Sequence, residues 1–467
     1  MTDGCAFRCQ RAVDNAAAML TELTPDDPRL NDLLASSHAR FAQLVAEANG
    51  KARGFYAKTL GREASIPEVI DEVFAAVERD GDAAVVRYVQ AFDGAALKPE
   101  HLRVPAADLR AAYEACAPAL RAAMHTAIDQ VRAYQTRLLP RGFGEALDEP
   151  LGVRWLPIPR VGAYVPGGPA GSLPLFSSVI MNLMPAKVAG VPSTVLVTPP
   201  RPDGTIHPDV LAAAHAVGVD EVYSIGGIPA IAALAVGTPT IPRVDKIVGP
   251  GNIIVTLAKQ RAYGRVDIDM LAGPSEVLVI SDETADPRFV AADLLSQAEH
   301  DTLAMAVCLH VGAGAERIQA EVATQLAALP EPRRTVATVS IQRFGRLIRC
   351  ATADQAVAIS NRFAPEHLEV LVADPKALVP RLTNAGAIFV GPWSPEPIGD
   401  YVAGPSHTLP TGGTARMWSG IGADTFLRRT SLINFGEADF RRLAGAGLAL
   451  ARGEGLEAHA RSIAVRM

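Results

Sequence analysis

Three polar side chains interrupt the apolar segment Asp286–His300, which reads DPRFVAADLLSQAEH. Asp293, Gln297 and His300 recur at i, i+4 and i+7, so a helix would carry an acid, an amide and an imidazole as one stripe. Burying such groups unpaired costs about 1–3 kcal/mol each or more, so the stripe either faces solvent or lines a site. Farther on, Glu366 and His367 set a carboxylate beside an imidazole just before an apolar strand, where a loop presents both as general acid and base. The stretch SPEPIGD ends in Asp400 and is followed by AGPSHTLPTGG with His407, and the closing EGLEAHARS offers Glu454, Glu457 and His459. Collected, Gln297, His300, Asp400 and His459 offer oxygen, nitrogen, oxygen and nitrogen, a set that suits zinc with room for a substrate. They are spread over more than 160 residues, so by spacing alone the zinc set is speculative and a chance scatter of polar residues outweighs it.

The elements that must position these residues follow from period and punctuation. Asp286 followed by Pro287 is a helix start, an N-cap carboxylate ahead of a proline at the first helical position. From Leu151 onward short β-branched runs alternate with helices. Val161–Val165, Ser193–Val197, Glu221–Ile225 and Lys246–Val248 predict strands, separated by helices at Ser178–Ala189, His207–Val217, Pro229–Val236 and Ile253–Tyr263. The βαβα order implies a largely parallel sheet, which binds ligands at the carboxyl ends of its strands. Glycine-rich turns stand there: Gly162 to Gly168 with Tyr164, Gly226-Gly227, and Gly249 to Asn252. Such turns let backbone approach a phosphate, which suggests a dinucleotide, although none matches GxGxxG and ordinary βα turns would look the same. A second block has strands at Val277–Ile280, Leu303–His310, Ala337–Ile341, His367–Val372 and Ala387–Val390. Two tandem α/β units leave a cleft suited to a small substrate.

The rest of the chain reads as support. Residues 1–60 form a helical N-terminal extension, with a turn at Thr24–Pro28 and one amphipathic helix from Pro28 to Glu47. Residues 61–155 form a helical layer with a capping box at Ser65–Glu68 and a long alanine-rich helix, Leu109 to Leu138, interrupted near Pro118. Residues 156–274 are the nucleotide-binding unit, 275–420 the unit carrying the metal and acid/base candidates, and 421–467 a C-terminal helical segment. The 467 residues, 49% hydrophobic and 20% charged with a net charge of −6, suit a folded protein and argue against nucleic acid or an anionic membrane as partner. Cys5, Cys9, Cys116, Cys308 and Cys350 form no CxxC pair, which points to a reducing, cytoplasmic compartment. No run approaches the ~18 apolar residues of a membrane span, and no secretion signal opens the chain. Cys116 and His125 read as packing or surface residues, His207 and His215 as surface residues of one helix, His310 as a satisfied edge histidine, and neither Cys308 nor Cys350 as a nucleophile. His407 is open between a supporting and a direct role.

Taken together, VGAYVPGG, KIVGPGN, DMLAGPSEVLV, DLLSQAEHD, APEHLEV, GDYVAGPSHTLPTGGTAR and EGLEAHARS resemble the histidinol dehydrogenase family, in order from about Ile66 to the C-terminus. The resemblance implies two Rossmann-like parallel-sheet units, aldehyde dehydrogenase-like in fold, and an intertwined homodimer whose C-terminal segment completes the partner's site. It implies oxidation of L-histidinol through histidinal to L-histidine with two NAD and one zinc ion per subunit. On the matching positions, Gln297, His300, Asp400 and His459 are zinc ligands, Glu366 and His367 the acid/base pair, and Ser275, Glu454 and His367 substrate contacts alongside the ligands. Tyr164 and Asn252 match contacts to NAD.

Three departures stand out. Pro229 occupies the position where the family usually has a glutamine that contacts NAD. The VPGG loop runs longer than usual, and residues precede the family's usual start, with Met19 as an alternative initiation site. Two other readings compete: a relative oxidising another small alcohol with the same machinery, and a silent metabolite-binding scaffold, which would have lost zinc and base residues that are all present here.

Overall fold

The computed structural model describes residues 19–34, 37–167 and 174–467. Cys5, Cys9 and most of the longer VPGG loop, including Gly168, lie outside the described residues. A short strand β1 (Thr21–Leu23) comes first, then a layer of helices that includes Ile66–Asp80, Asp82–Asp93, Ala106–Ala115 and Pro118–Arg137. Ser65 closes a capping box with Glu68 at the start of that layer. Next come β2 (Leu151–Pro157), β3 (Arg160–Tyr164), β4 (Ser193–Thr198), β5 (Glu221–Ser224), β6 (Lys246–Val248) and β7 (Asp267–Ile268). Strands β3 to β7 form one parallel sheet in the order β5-β4-β3-β6-β7. Apart from the edge strand β7 and the first residues of β3 to β5, its residues are buried on both faces, as parallel strands covered by helices are. Val195 and Val197 enter one core with the helices Ile66–Asp80 and Gly227–Val236, while Leu196 enters another with Ser177–Val188 and Pro208–Val217.

A second parallel sheet holds β8 (Glu276–Asp282), β9 (Met305–Val311), β10 (Arg346–Cys350), β11 (His367–Leu371) and β12 (Ala387–Val390), in the order β1-β10-β9-β8-β11-β12. The helix Pro287–Ala298, capped by the Asp286 side chain, lays Val290, Ala291, Leu294 and Leu295 against Val277, Val279, Ala306 and Cys308. This site helix leaves β8 and runs back along the sheet, so its last turn lies at the amino ends of the strands. A last strand, β13 (Leu427–Ile433), pairs antiparallel with β2. The chain ends in an arm of two helices, Glu437–Gly453 and Glu457–Ala464, packed on each other. Among the described residues no helix is long and apolar enough to cross a membrane.

Several expected boundaries are corrected. Ala337–Ile341 is not a strand but the middle of the helix Arg333–Phe344. Ala337 and Ile341, one turn apart, are both fully buried in the core, and the Ser340 hydroxyl donates to the Ala304 carbonyl at 2.9 Å. Tertiary burial at helical spacing thus outweighs the strand preference of a β-branched run. The strand of that region is β10, just beyond. The helix expected from Pro28 to Glu47 is instead two, Arg29–Leu33 and Ser37–Leu60. The N-terminal region is not wholly helical, because β1 pairs with β10 and buries Leu20 and Leu23 in the second unit's cores. The segment 421–467 is likewise not wholly helical, since β13 follows a short 3-10 turn at Ala423–Phe426.

Candidate active site

The glycine turns line the carboxyl ends of the first sheet. Gly249, just past β6, has φ +107, and a Cβ there would lie 2.2 Å from the Tyr164 carbonyl oxygen, so only glycine fits. The turn is held from below. The Gly249 amide donates to Asp269 Oδ2 at 2.7 Å, Lys259 Nζ donates to the Gly249 carbonyl at 2.9 Å, and Lys259 and Asp269 form a buried ion pair. Asn252, exposed, caps the next helix by accepting from Ile254 and Val255 amides at 3.0 and 3.1 Å. Tyr164 is buried, and its hydroxyl accepts from the Gly227 amide at 3.4 Å. Pro229 is buried in the first turn of Gly227–Val236 and offers neither an N–H nor a side-chain donor.

The other candidates gather at the amino ends of the second sheet. Ala364, at the end of the helix Ala353–Phe363, has φ +52, uncommon for a residue with a Cβ, and turns the chain into Pro365-Glu366-His367. His367 then opens β11 between β8 and β12. Its Nδ1 lies 3.0 Å from the Glu276 carbonyl oxygen and 3.1 Å from Gln297 Oε1. Both partners are placed as acceptors, so Nδ1 carries a proton whichever form the ring takes, and Nε2 is the nitrogen that bears the lone pair once the ring is neutral. Among the described residues the buried Nε2 has no hydrogen-bond partner; it lies 3.7 Å from Asp400 Oδ1 and 3.9 Å from Glu396 Oε1. Glu366 Oε2 accepts from the Glu276 amide at 2.9 Å and stands 3.7 Å from His367 Nδ1.

These groups perturb one another strongly. Burial pushes the Glu366 carboxyl up to about 8. Burial also disfavours the His367 imidazolium, but the surrounding Glu366, Asp400 and Glu396 outweigh it and raise His367 to about 10. Glu396 rises to about 8, through burial first and then the charge of Asp400. Burial alone would raise Asp400, yet the nearness of His367 and the charge of His407 bring it down to about 2. A buried cavity with this many carboxyl groups calls for a cation.

The atoms fit one. Ligand atoms of His300, Glu396 and Asp400 lie within 4.8 Å of one another, and Glu396 Oε1 and Gln297 Nε2 are buried without partners among the described residues. A nitrogen and two carboxylates are donors a divalent metal accepts. Of the expected residues, His300 and Asp400 meet directly, and Gln297 joins them through His367. Ser275 immediately precedes β8, half-buried beside Glu276. His459 and Glu454 are not brought into this cluster by their own chain: both are exposed on the C-terminal arm. His300 is just past the site helix, exposed at the mouth. A cavity of about 360 Å³ opens beside Asp400, lined by Ile388, Phe389, Ile398, Pro405 and His407.

Glu396 was not singled out from sequence. Its signal was the i, i+4 spacing to Asp400 on the short helix Glu396–Tyr401. His407 supports rather than reacts: Nδ1 donates to the Asp400 carbonyl at 3.1 Å, and Nε2 meets the Ser178 hydroxyl at 3.0 Å, which ties the two units together. His310 is satisfied by Ser281 and the Ala313 carbonyl. Burial pushes the Cys308 thiol up to about 12 and that of Cys350 to about 11, away from nucleophilic character.

Residues 58–467 match the family described as histidinol dehydrogenase. The histidinol dehydrogenase of Synechococcus sp. is 50% identical over 408 residues, 87% of this chain and 92% of that protein. That of Moorella thermoacetica is 51% identical over 418 residues, 89% of this chain and 97% of that protein. The crystal structure of histidinol dehydrogenase from Elizabethkingia anophelis matches with a TM-score of 0.81 at 35% identity, covering 87% of this chain and 93% of that one.

Proposed function

Since the chain belongs to the histidinol dehydrogenase family and oxidises histidinol in histidine biosynthesis, we propose that it takes L-histidinol through histidinal to L-histidine with two NAD and one zinc ion per subunit. The observation that carries this reading is the orientation of His367: Nδ1–H is committed to Glu276 and Gln297, so Nε2 is the nitrogen left to give up or take a proton beside Asp400 and Glu396. When bound, zinc would supply a Lewis-acidic grip that orients the substrate, and NAD the hydride acceptor.

The chain's own residues divide the remaining work. Gln297, His300 and Asp400 would hold the metal, with His459 of the partner subunit, and Glu396 stands beside them. His367 Nε2 accepts the hydroxyl proton as the alcohol becomes an aldehyde. Glu366, whose buried carboxyl titrates close to neutrality, takes a proton from water as that water adds to the aldehyde carbon. The resulting hydrate is oxidised in the second half-reaction, which yields the carboxylate. Ser275 and the partner's Glu454 orient the substrate, Glu454 by pairing with its ammonium group. Tyr164, Asn252 and the glycine turns of the first sheet form the cofactor side, where Pro229 removes one side-chain bond.

A homodimer with shared sites is part of the proposal. The arm leaves Leu443, Leu450, Leu456 and Val465 exposed, and Trp393 and Ile398 beside the cavity are exposed as well. Exposed apolar side chains of this number, next to a site lacking two of its expected residues, support an arm that reaches a second copy. The buried free thiols Cys116, Cys308 and Cys350 suit the cytoplasm. The test is NADH formation from L-histidinol before chelation, after it, and after zinc is restored. Two NADH per histidinol, lost on chelation and regained with zinc, is the expected result; none from folded, zinc-loaded protein would sink the reading.

A further inference from the structure

Beneath the candidate metal site lies a second pair of acids. Glu369 is two residues beyond His367 on β11 and therefore shares its face, while Leu368 and Val370 enter the opposite core. Glu369 is 1% exposed. On the site helix covering that face, Asp293 lies one turn before Gln297 and is 8% exposed. The two carboxyl groups act on each other across that packed face, the charge of Asp293 adding to burial in raising Glu369. Two carboxyl groups buried side by side are eased when one keeps its proton, and no nitrogen or hydroxyl donor among the described residues reaches Glu369 Oε2. Glu369 Oε1 accepts from the Glu396 amide at 2.7 Å. That amide opens the short helix bearing Glu396 and Asp400, and Pro395 before it has no capping side chain. One buried acid thus ties β11, with its Glu366-His367, to the helix with Asp400, and faces the helix with Gln297.

We infer that Glu369, bridged by a shared proton to Asp293, is a positioning residue that keeps Gln297, His300 and Asp400 facing one another. Touching neither substrate nor any expected ligand side chain, it acts through the elements it joins. The inference rests on the proposed zinc site. An amide at either position keeps the network, because the glutamine of Glu369→Gln still accepts from the Glu396 amide and donates to Asp293.

Zinc affinity of the purified protein, read by competition with a chromophoric chelator, tests this without reference to turnover. Glu369→Ala and Asp293→Ala should each weaken zinc about 10- to 100-fold, as loss of a supporting bond does. Glu369→Gln and Asp293→Asn should stay within about threefold of the parent, and the double alanine variant should be no worse than either single one. Far-UV circular dichroism confirms that each variant is folded. Should Glu369→Ala fail to fold, the two amide variants decide the matter. Zinc held as tightly by Glu369→Ala as by the parent, or as weakly by Glu369→Gln as by the alanine variant, overturns the inference. Asp400→Ala separates the two readings: if it also leaves zinc affinity unchanged, the zinc site itself is wrong.

Discussion

The two sheets of this protein build their sites at opposite edges and from different materials. At the carboxyl edge of the first, the chain offers mostly backbone: Gly249 pressed against the Tyr164 carbonyl, Gly227 against the Tyr164 hydroxyl, and the exposed cap Asn252. At the amino edge of the second, it offers side chains, with Glu366, His367 and Glu396 buried and mutually perturbing their protons. The first kind of site depends on shape and dipoles and tolerates any side chain that leaves the backbone free. The second depends on particular charges held where water cannot screen them, which makes it far less forgiving of substitution.

That contrast can be broken most decisively at His367. His367→Asn removes the Nε2 base while leaving the first sheet untouched, so kcat should fall roughly 10²- to 10⁴-fold with little change in KM for NAD. Steady-state kinetics with each substrate varied checks this, and a parallel loss of NAD affinity would show that the two edges are not independent. Titration sharpens the comparison next. Without metal, His367 holds a second proton, on Nε2, up to about pH 10, and Glu366 and Glu396 keep theirs up to about 8. A cation must displace those protons, so zinc affinity should climb as pH rises from 7 toward 10, by as much as ~10-fold per unit for each proton released. Chelator competition at several pH values reads the slope, while NAD binding by a site made of backbone should stay nearly flat over the same range.

At the other edge, Gly249→Ala would need a Cβ 2.2 Å from the Tyr164 oxygen at φ +107. It should lower unfolding free energy by about 2–3 kcal/mol and raise KM for NAD, without altering zinc affinity. Denaturant melts and NAD titration test that directly. The smallest effect belongs to Pro229→Gln, which adds a side-chain hydrogen-bonding group at the first turn of Gly227–Val236. One added bond is worth about 0.5–1.5 kcal/mol, so KM for NAD should fall two- to tenfold with kcat unchanged. An unchanged or higher KM would mean that this turn binds NAD through backbone alone.

Much of the framework was legible in the residues themselves. In the first unit the strands β3 to β6 and the helices between them lie within a few residues of where period and glycine punctuation put them, because each element buries a continuous apolar run and ends at a turn residue. Asp286-Pro287 marked the start of the site helix for the same local reason. Legibility failed where local preference and packing disagree. The run containing Ala337–Ile341 carries strand formers at helical burial spacing. The three residues of β1 are too few to show a period before β10 is there to pair with them.

The local chain therefore determined the alternation of strand and helix, the glycine turns, the Glu366-His367 pair ahead of β11 and the polar stripe of the site helix. Tertiary structure decided which proton His367 keeps, since only the approach of the Glu276 carbonyl and Gln297 commits Nδ1. It also decided that Glu396 joins His300 and Asp400, that Glu369 meets Asp293 beneath them, and that Glu454 and His459 stay exposed on the arm. The physical reason is common to all of these. A carboxylate or an imidazole has no character of its own in sequence until burial strips its water and a neighbour distant along the chain arrives to bond or repel it.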